Sequence, residues 1–167
     1  MNIYLIGFMG TGKTTVGKIL AEKLGRKFYD LDELIERKAG KSIRDIFIDD
    51  GEEHFRKIET EVLKEVAGGK GYIIATGGGL LTTEGNYEVM KESGVIITLA
   101  ASAESIYERL KGDESRPLLM VENVIDEIKR LMFERAPLYI KADYIVDTSD
   151  VSPDEVAAEI MEFLDEL

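Results

Sequence analysis

The apolar run Ile3-Tyr4-Leu5-Ile6 passes without a spacer into Gly7-Phe8-Met9-Gly10-Thr11-Gly12-Lys13-Thr14, and Val16, Ile19 and Leu20 follow at helical spacing. A strand, a glycine-rich turn and a helix in that order leave few folds open. The turn fits the phosphate-binding pattern of Gly, four residues, Gly, Lys and then Ser or Thr. Glycines let successive backbone N–H groups turn inward around an anion, and the helix that opens near Thr14 adds the positive end of its dipole. Lys13 is placed to reach β and γ phosphates, and Thr14 brings a hydroxyl oxygen of the kind magnesium takes.

Periodicity extends this unit along the chain. Short apolar runs predict strands at residues 2–6, around 27–29, and at 72–76, 95–99 and 144–147. Helical patterns lie between them, at residues 14–24, after Asp32, and at 52–67, 84–92, 103–110 and 121–134. A last helix opens at Pro153, with Ser152 placed to cap it and Glu155 to answer the cap. Strands that are apolar throughout, alternating with helices, predict an α/β fold with a parallel sheet covered on both faces. Ligands in such sheets gather at the carboxyl ends of the strands. The 167 residues carry no repeat, low-complexity tract or linker, so a single domain over residues 1–167 is expected.

Charge narrows the partners. With 33 acidic against 21 basic side chains, the net charge of −12 repels nucleic-acid backbones and anionic lipid headgroups, so neither is expected as a partner. The absence of cysteine excludes disulfides and thiolate chemistry, and the lone His54 cannot build a histidine metal site. No apolar segment approaches the ~20 residues that span a bilayer, and the start lacks a basic leader, so a cytoplasmic location is expected.

The strand ends carry the remaining chemistry. Asp30 and Asp32, one residue apart, project to one side if the chain is extended there. In a phosphate site one carboxylate can hold a magnesium-bound water, with Asp30 the better placed, while the other accepts a hydrogen bond from the hydroxyl to be phosphorylated. Alternatively the pair caps the following helix. Three consecutive glycines, Gly77, Gly78 and Gly79, end the third strand and suit a backbone that something approaches closely, or an ordinary turn. Arg56 stands beside the buried stripe of Phe55, Ile58, Val62 and Val66, with Glu59 at i+3, and reads equally as a solvated helix charge. Arg109 and Arg116 bracket the polar "LKGDES", which suits a flap that closes over a nucleotide and excludes water. Arg135 is expected at a helix end just before Pro137, where it can also serve as a dipole partner.

In order along the chain, "GFMGTGKTT", "DLD", "FRKIE", "GGG", "RPLL", "RAPLY" and "VDTS" resemble the shikimate kinases, small P-loop kinases of aromatic amino-acid biosynthesis. The resemblance runs over nearly the whole chain. It implies a three-layer α-β-α P-loop fold like that of the nucleoside monophosphate kinases, with a five-stranded parallel sheet. A lid at about residues 110–122 and substrate-binding helices at about 32–60 belong to the same picture. The implied reaction converts ATP and shikimate to ADP and shikimate 3-phosphate, with magnesium, in a monomer. Carried over by position, Gly10, Thr11, Gly12, Lys13, Thr14 and Thr15 cradle ATP phosphates, Thr14 binds magnesium directly, and Asp30 acts on it through water. Asp32 holds the shikimate hydroxyl, Arg56 and Arg135 bind its carboxylate, and the backbone of Gly78 and Gly79 contacts it. Arg116 reaches the transferring phosphate, Arg109 packs on adenine, and Glu59 orients Arg56. Lys13, Asp32 and Arg116 are thus the expected catalytic residues.

Physical chemistry favours the same division, since two planar, permanently charged guanidinium forks grip a carboxylate better than lysines do. A loose transition state needs little early proton removal, which makes Asp32 an orienter of the hydroxyl before it is a base. One departure is Val151, which stands before "SP" where many relatives carry a polar or basic side chain. Two rivals share parts of this reading. A gluconate-type kinase keeps the phosphate loop but not the combination of Arg56, Arg135 and triple glycine. A regulatory protein that has lost catalysis predicts damage at Lys13, Asp32 or Arg116, and all three are intact.

Overall fold

A computed structural model describes residues 1–111 and 123–167. Five strands, β1 (Asn2–Ile6), β2 (Phe28–Asp30), β3 (Ile73–Ala75), β4 (Gly94–Ala100) and β5 (Tyr144–Asp147), form one sheet in the order β2-β3-β1-β4-β5. Every pairing is parallel, with Leu5 opposite Ala75 on one side and Ile97 on the other. Sequence reading and structure agree on the α/β class and on the parallel sheet.

The apolar runs are continuous because alternate residues feed different cores. Ile3 and Leu5 face helix α1 (Lys13–Leu24) and helix α8 (Pro153–Asp165), packing with Val16, Leu20, Val156 and Ile160. Tyr4 and Ile6 face α2 (Leu31–Ala39), α3 (Ile43–Asp50), α4 (Glu52–Ala67) and α5 (Asn86–Ser93), packing with Leu31, Ile35, Ile46, Phe55 and Val62. A third cluster joins Phe8 to α6 (Ala103–Leu110) and α7 (Val124–Tyr139) through Ile106, Leu110, Ile128 and Leu131. Each fully buried leucine or isoleucine contributes roughly 1.5–3 kcal/mol relative to exposure. The two faces of β1 therefore tie together helices that are far apart in sequence.

Strand order reverses at β1, whose neighbours are β3 and β4. The phosphate-loop sequence leaves the sheet at this crevice, where open α/β sheets bind ligands.

Several local expectations change. Chain residues 43–50, not assigned to any helix by periodicity, form α3, capped by Ser42 Oγ, which accepts from Asp45 N at 3.1 Å. Helix α2 starts at Leu31, so Asp32 lies in its first turn and not on an extended chain beside Asp30. Asp30 is the cap, its Oδ1 accepting from Asp32 N at 2.9 Å. Helix α7 continues through Pro137 to Tyr139, so Arg135 lies within the helix and not at its end. The capping box at Ser152 forms as expected, with Glu155 N donating to Ser152 Oγ at 3.2 Å and Ser152 N to Glu155 Oε2 at 3.1 Å.

Candidate active site

The site is built from four strand exits. After β1, Gly7 takes φ +141° and Gly12 takes φ +94°, conformations that side-chain-bearing residues rarely adopt. A Cβ at Gly7 would lie 2.3 Å from the Leu99 carbonyl oxygen of β4, so the loop lies directly against the sheet. Thr11 is buried and its hydroxyl donates to Phe8 O at 2.8 Å, closing the loop on itself. Gly12 caps α1 without any side-chain acceptor, which leaves the first-turn N–H groups of that helix for an anion. Lys13 Nζ folds over the loop, donating to Gly7 O at 2.8 Å and Phe8 O at 2.9 Å. Thr15 is exposed in the first turn of α1.

The second exit brings Asp30 to the same place. Thr14 Oγ1 donates to Asp30 Oδ2 at 2.9 Å, while the other Asp30 oxygen caps α2. A hydroxyl and a carboxylate at hydrogen-bond distance beside the glycine-rich loop are hard oxygen donors of the kind that would suit magnesium. No cluster of three or more acidic, histidine or cysteine ligands occurs among the described residues.

The third exit is the triple glycine, on which the charged residues converge. A Cβ at Gly77 would meet Glu59 Oε2 at 3.0 Å and Asp32 Oδ1 at 3.2 Å. A Cβ at Gly78 would meet Arg135 Nη1 at 3.3 Å and the Met9 amide nitrogen at 3.4 Å. A Cβ at Gly79 would lie 2.4 Å from Arg56 Nη2. Two guanidinium groups and two carboxylates close on this backbone, which leaves little room for a side chain. Arg135 also sits over the Phe8 ring, 5.5 Å from its centroid, which connects the phosphate loop to this cluster.

Glu59 is wholly buried and accepts from Arg56 Nη1 at 2.8 Å, one helical turn away on α4. Burial pushes its carboxyl above the ordinary value of 4.5, and the Arg56 charge opposes that shift. Its Oε2 and the Arg56 Nε are buried without a hydrogen-bond partner. Such a pair is costly to bury, and its one hydrogen bond ties the Arg56 fork to a buried side chain.

The fourth exit, after β5, holds Thr148. Arg109, on α6, donates to Gly10 O at 3.0 Å, Thr148 Oγ1 at 3.1 Å and Thr148 O at 2.7 Å, bridging the phosphate loop to this strand end. Val151 is partly buried against the core between sheet, α1 and α8. Arg116 and the expected flap lie outside the described residues. His54 is exposed. A groove of about 530 Å³, lined by Tyr29 of β2, by α2, by α4 and by Gly69 and Tyr72 ahead of β3, contains none of the predicted site residues.

Two groups stand at the site that residue-by-residue reading did not single out. Thr148 was visible only as part of "VDTS", and Tyr139 only as the last letter of "RAPLY". The Tyr139 hydroxyl donates to the Gly78 carbonyl.

The family model for shikimate kinase matches residues 9–165. The chain belongs to the shikimate kinase family. A shikimate kinase of Thermodesulfovibrio yellowstonii is 51% identical over 160 residues, covering 96% of this chain and 92% of that protein. Among solved structures, the shikimate kinase of Acinetobacter baumannii in complex with shikimate superposes with a TM-score of 0.95 at 43% identity, covering 99% of this chain and 93% of that one. That of Aquifex aeolicus superposes with a TM-score of 0.84 at 40% identity, covering 99% and 97%. Membership spans both halves of the site, because the matched residues include the phosphate loop from Met9 onward as well as Arg56, the triple glycine and Arg135.

Proposed function

We propose that this protein transfers the γ-phosphoryl group of ATP to the 3-hydroxyl of shikimate, giving shikimate 3-phosphate and ADP in aromatic amino-acid biosynthesis. The observation that carries the proposal is the closing of Arg56, Arg135 and Asp32 on the triple glycine, with Gly78 beside the Met9 amide of the phosphate loop. Family membership and the shikimate bound to the A. baumannii enzyme support the choice of acceptor.

Each group then has a task. Gly10, Thr11, Gly12, Lys13, Thr14 and Thr15 hold the phosphates, and the Lys13 ammonium, now on the carbonyls of Gly7 and Phe8, exchanges them for phosphate oxygens. Thr14, and Asp30 through water, would hold magnesium, which when bound would neutralise charge on the phosphates. Arg56 and Arg135 take the shikimate carboxylate in two forks, the Gly78 and Gly79 backbone contacts the substrate, and Asp32 accepts the hydrogen bond of the reacting hydroxyl. Fixing that hydroxyl in line matters more than deprotonating it, because the loose transition state carries its charge mainly on the transferring group. Arg109 packs on adenine from the strand exit it already bridges, and Arg116 meets the transferring phosphate from a lid at about residues 110–122. The substrate helices are then α2, α3 and the first half of α4, within one domain.

The acidic surface and the family together support a cytoplasmic monomer without nucleic-acid or membrane partners. No helix among the described residues is long and apolar enough to cross a membrane. The test is a coupled ADP-release assay with shikimate, quinate and gluconate offered in parallel. Turnover with shikimate alone is the expected result, and preference for gluconate would replace the proposal with the sugar-acid reading.

A further inference from the structure

We propose that Tyr139 is a positioning residue for the acceptor substrate: through its hydroxyl it fixes the Gly78 carbonyl, and so sets the triple-glycine amides in register with Arg135. The inference rests on the placement of the acceptor at Arg56, Arg135 and the glycines.

The carbonyls of this loop are all engaged, but not in the same way. Gly77 O accepts from Leu80 N at 3.3 Å, and Gly79 O accepts from Thr82 N at 3.0 Å and Thr82 Oγ1 at 2.6 Å. Leu80 O accepts from Asn86 Nδ2 at 2.9 Å and Thr83 N at 3.4 Å. These donors lie within six residues of their acceptors, and of them Asn86 is tied on to α4, its Oδ1 accepting from Thr60 Oγ1 at 2.9 Å, which places Leu80 but not the glycines. Gly78 O is different, because its donor is Tyr139 OH, 61 residues along the chain. With the carbonyls committed, the amides of Gly77, Gly78 and Gly79 have no protein acceptor among the described residues. They are the backbone groups left to meet a ligand. Three successive glycines have wide conformational freedom, which a single long-range anchor at the middle residue restricts most effectively.

Tyr139 is itself held at its other end. Its backbone carbonyl accepts from Thr98 Oγ1 of β4 at 2.7 Å, so the last turn of α7 is fixed to the sheet. Arg135 lies one turn earlier, at i−4, on the same face of the helix. A Cβ at Gly78 would stand 3.3 Å from Arg135 Nη1, so the tyrosine and the arginine of one helical turn address the same glycine. Sheet, helix, arginine and glycine loop form a closed frame in which the hydroxyl is the last link. Burial raises the Tyr139 phenol above its ordinary value, more than the Arg135 charge lowers it, so the hydroxyl keeps the proton that it donates.

Tyr139→Phe removes the link and keeps the ring. Kinetics are read with each substrate varied, beside Arg135→Lys as a control, and amide hydrogen exchange is followed over residues 76–80. In Tyr139→Phe the shikimate KM is expected to rise about three- to tenfold, the scale of one hydrogen bond, while the ATP KM and the melting temperature hold and loop exchange quickens. An unchanged shikimate KM in Tyr139→Phe beside a raised one in Arg135→Lys overturns the positioning role and leaves the site in place. Unchanged kinetics in both variants overturn the site as well. A parallel rise in both KM values with a lowered melting temperature reduces Tyr139 to packing and also overturns the proposal.

Discussion

Arg56 and Glu59 form a pair in which only half of the carboxylate is used: Oε1 takes the Arg56 Nη1 proton at 2.8 Å, while Oε2 points into the protein toward Gly77 without a donor. A structural ion pair would satisfy both oxygens. This one holds a guanidinium fork beside a backbone made entirely of glycine, so if Arg56 grips the acceptor as proposed, its titration is expected to reach substrate affinity.

Because burial raises the folded pKa of Glu59 above its ordinary 4.5, the folded state holds this proton more tightly than the unfolded chain. The contribution to stability is complete below about 4.5, the ordinary value, and is lost as pH rises through the raised folded value. Thermal melts of the native protein and Glu59→Gln between pH 4.5 and 8 are expected to show the native protein gaining relative stability toward acid. In the same range neutral Glu59 releases Arg56, so the shikimate KM of the native enzyme rises with acid, a dependence that Glu59→Gln lacks.

Gly79→Ala separates fold from affinity. The new Cβ would sit 2.4 Å from Arg56 Nη2, the far end of a flexible side chain, so the arginine yields and the loop survives. Expected are a melting temperature within a few degrees of native and a shikimate KM raised about tenfold or more, the scale of a lost charge-assisted hydrogen bond. An unchanged KM would place the Arg56 fork outside the acceptor site.

Asp30→Asn tests the metal assignment against the capping role, since both functions meet in one carboxylate. Asparagine caps a helix about as well as aspartate, so α2 should lose only a few tenths of a kcal/mol. Its weaker ligand and lost charge should raise the magnesium concentration needed for half-maximal turnover about tenfold. A magnesium titration beside a thermal melt reads both, and a destabilised protein with a native magnesium requirement would leave Asp30 as a cap alone.

Arg109→Ala releases Gly10 O and both Thr148 acceptors at once. The ATP KM should rise about three- to thirtyfold with the shikimate KM held, because the bridge joins the phosphate loop to the β5 exit and does not touch the glycine loop. Equal losses for both substrates would assign Arg109 to general stability.

The parts of this site that depend on local pattern were legible in the sequence. The strand, glycine loop and lysine announce a phosphate site in consecutive residues, and the two faces of β1 are written in the unbroken run from Ile3 to Ile6. Helix α3 falls within the helices that the resemblance implied at about 32–60, but periodicity missed it because of its apolar residues only Ile46 is fully buried, while Phe47 and Ile48 remain 38% and 69% exposed. Such a pattern carries little period. Pro137 misplaced the end of α7 because a proline usually breaks a helix. Here it removes one bond to the carbonyl of Phe133, a residue 83% exposed, which water can satisfy. Asp30 and Asp32 read either as one side of an extended segment or as caps of the next helix, and the cap forms at Asp30 because the strand is only three residues long and the helix begins inside the motif. The Tyr139 contact with Gly78 spans 61 residues and leaves no local trace at all.

The most direct measurement is a crystal structure of this protein with shikimate and a non-hydrolysable ATP analogue bound together. The account predicts the carboxylate held between the Arg56 and Arg135 forks, the 3-hydroxyl on Asp32, and the γ-phosphate in line above it. A shikimate bound with those three side chains turned from a common cleft would contradict it.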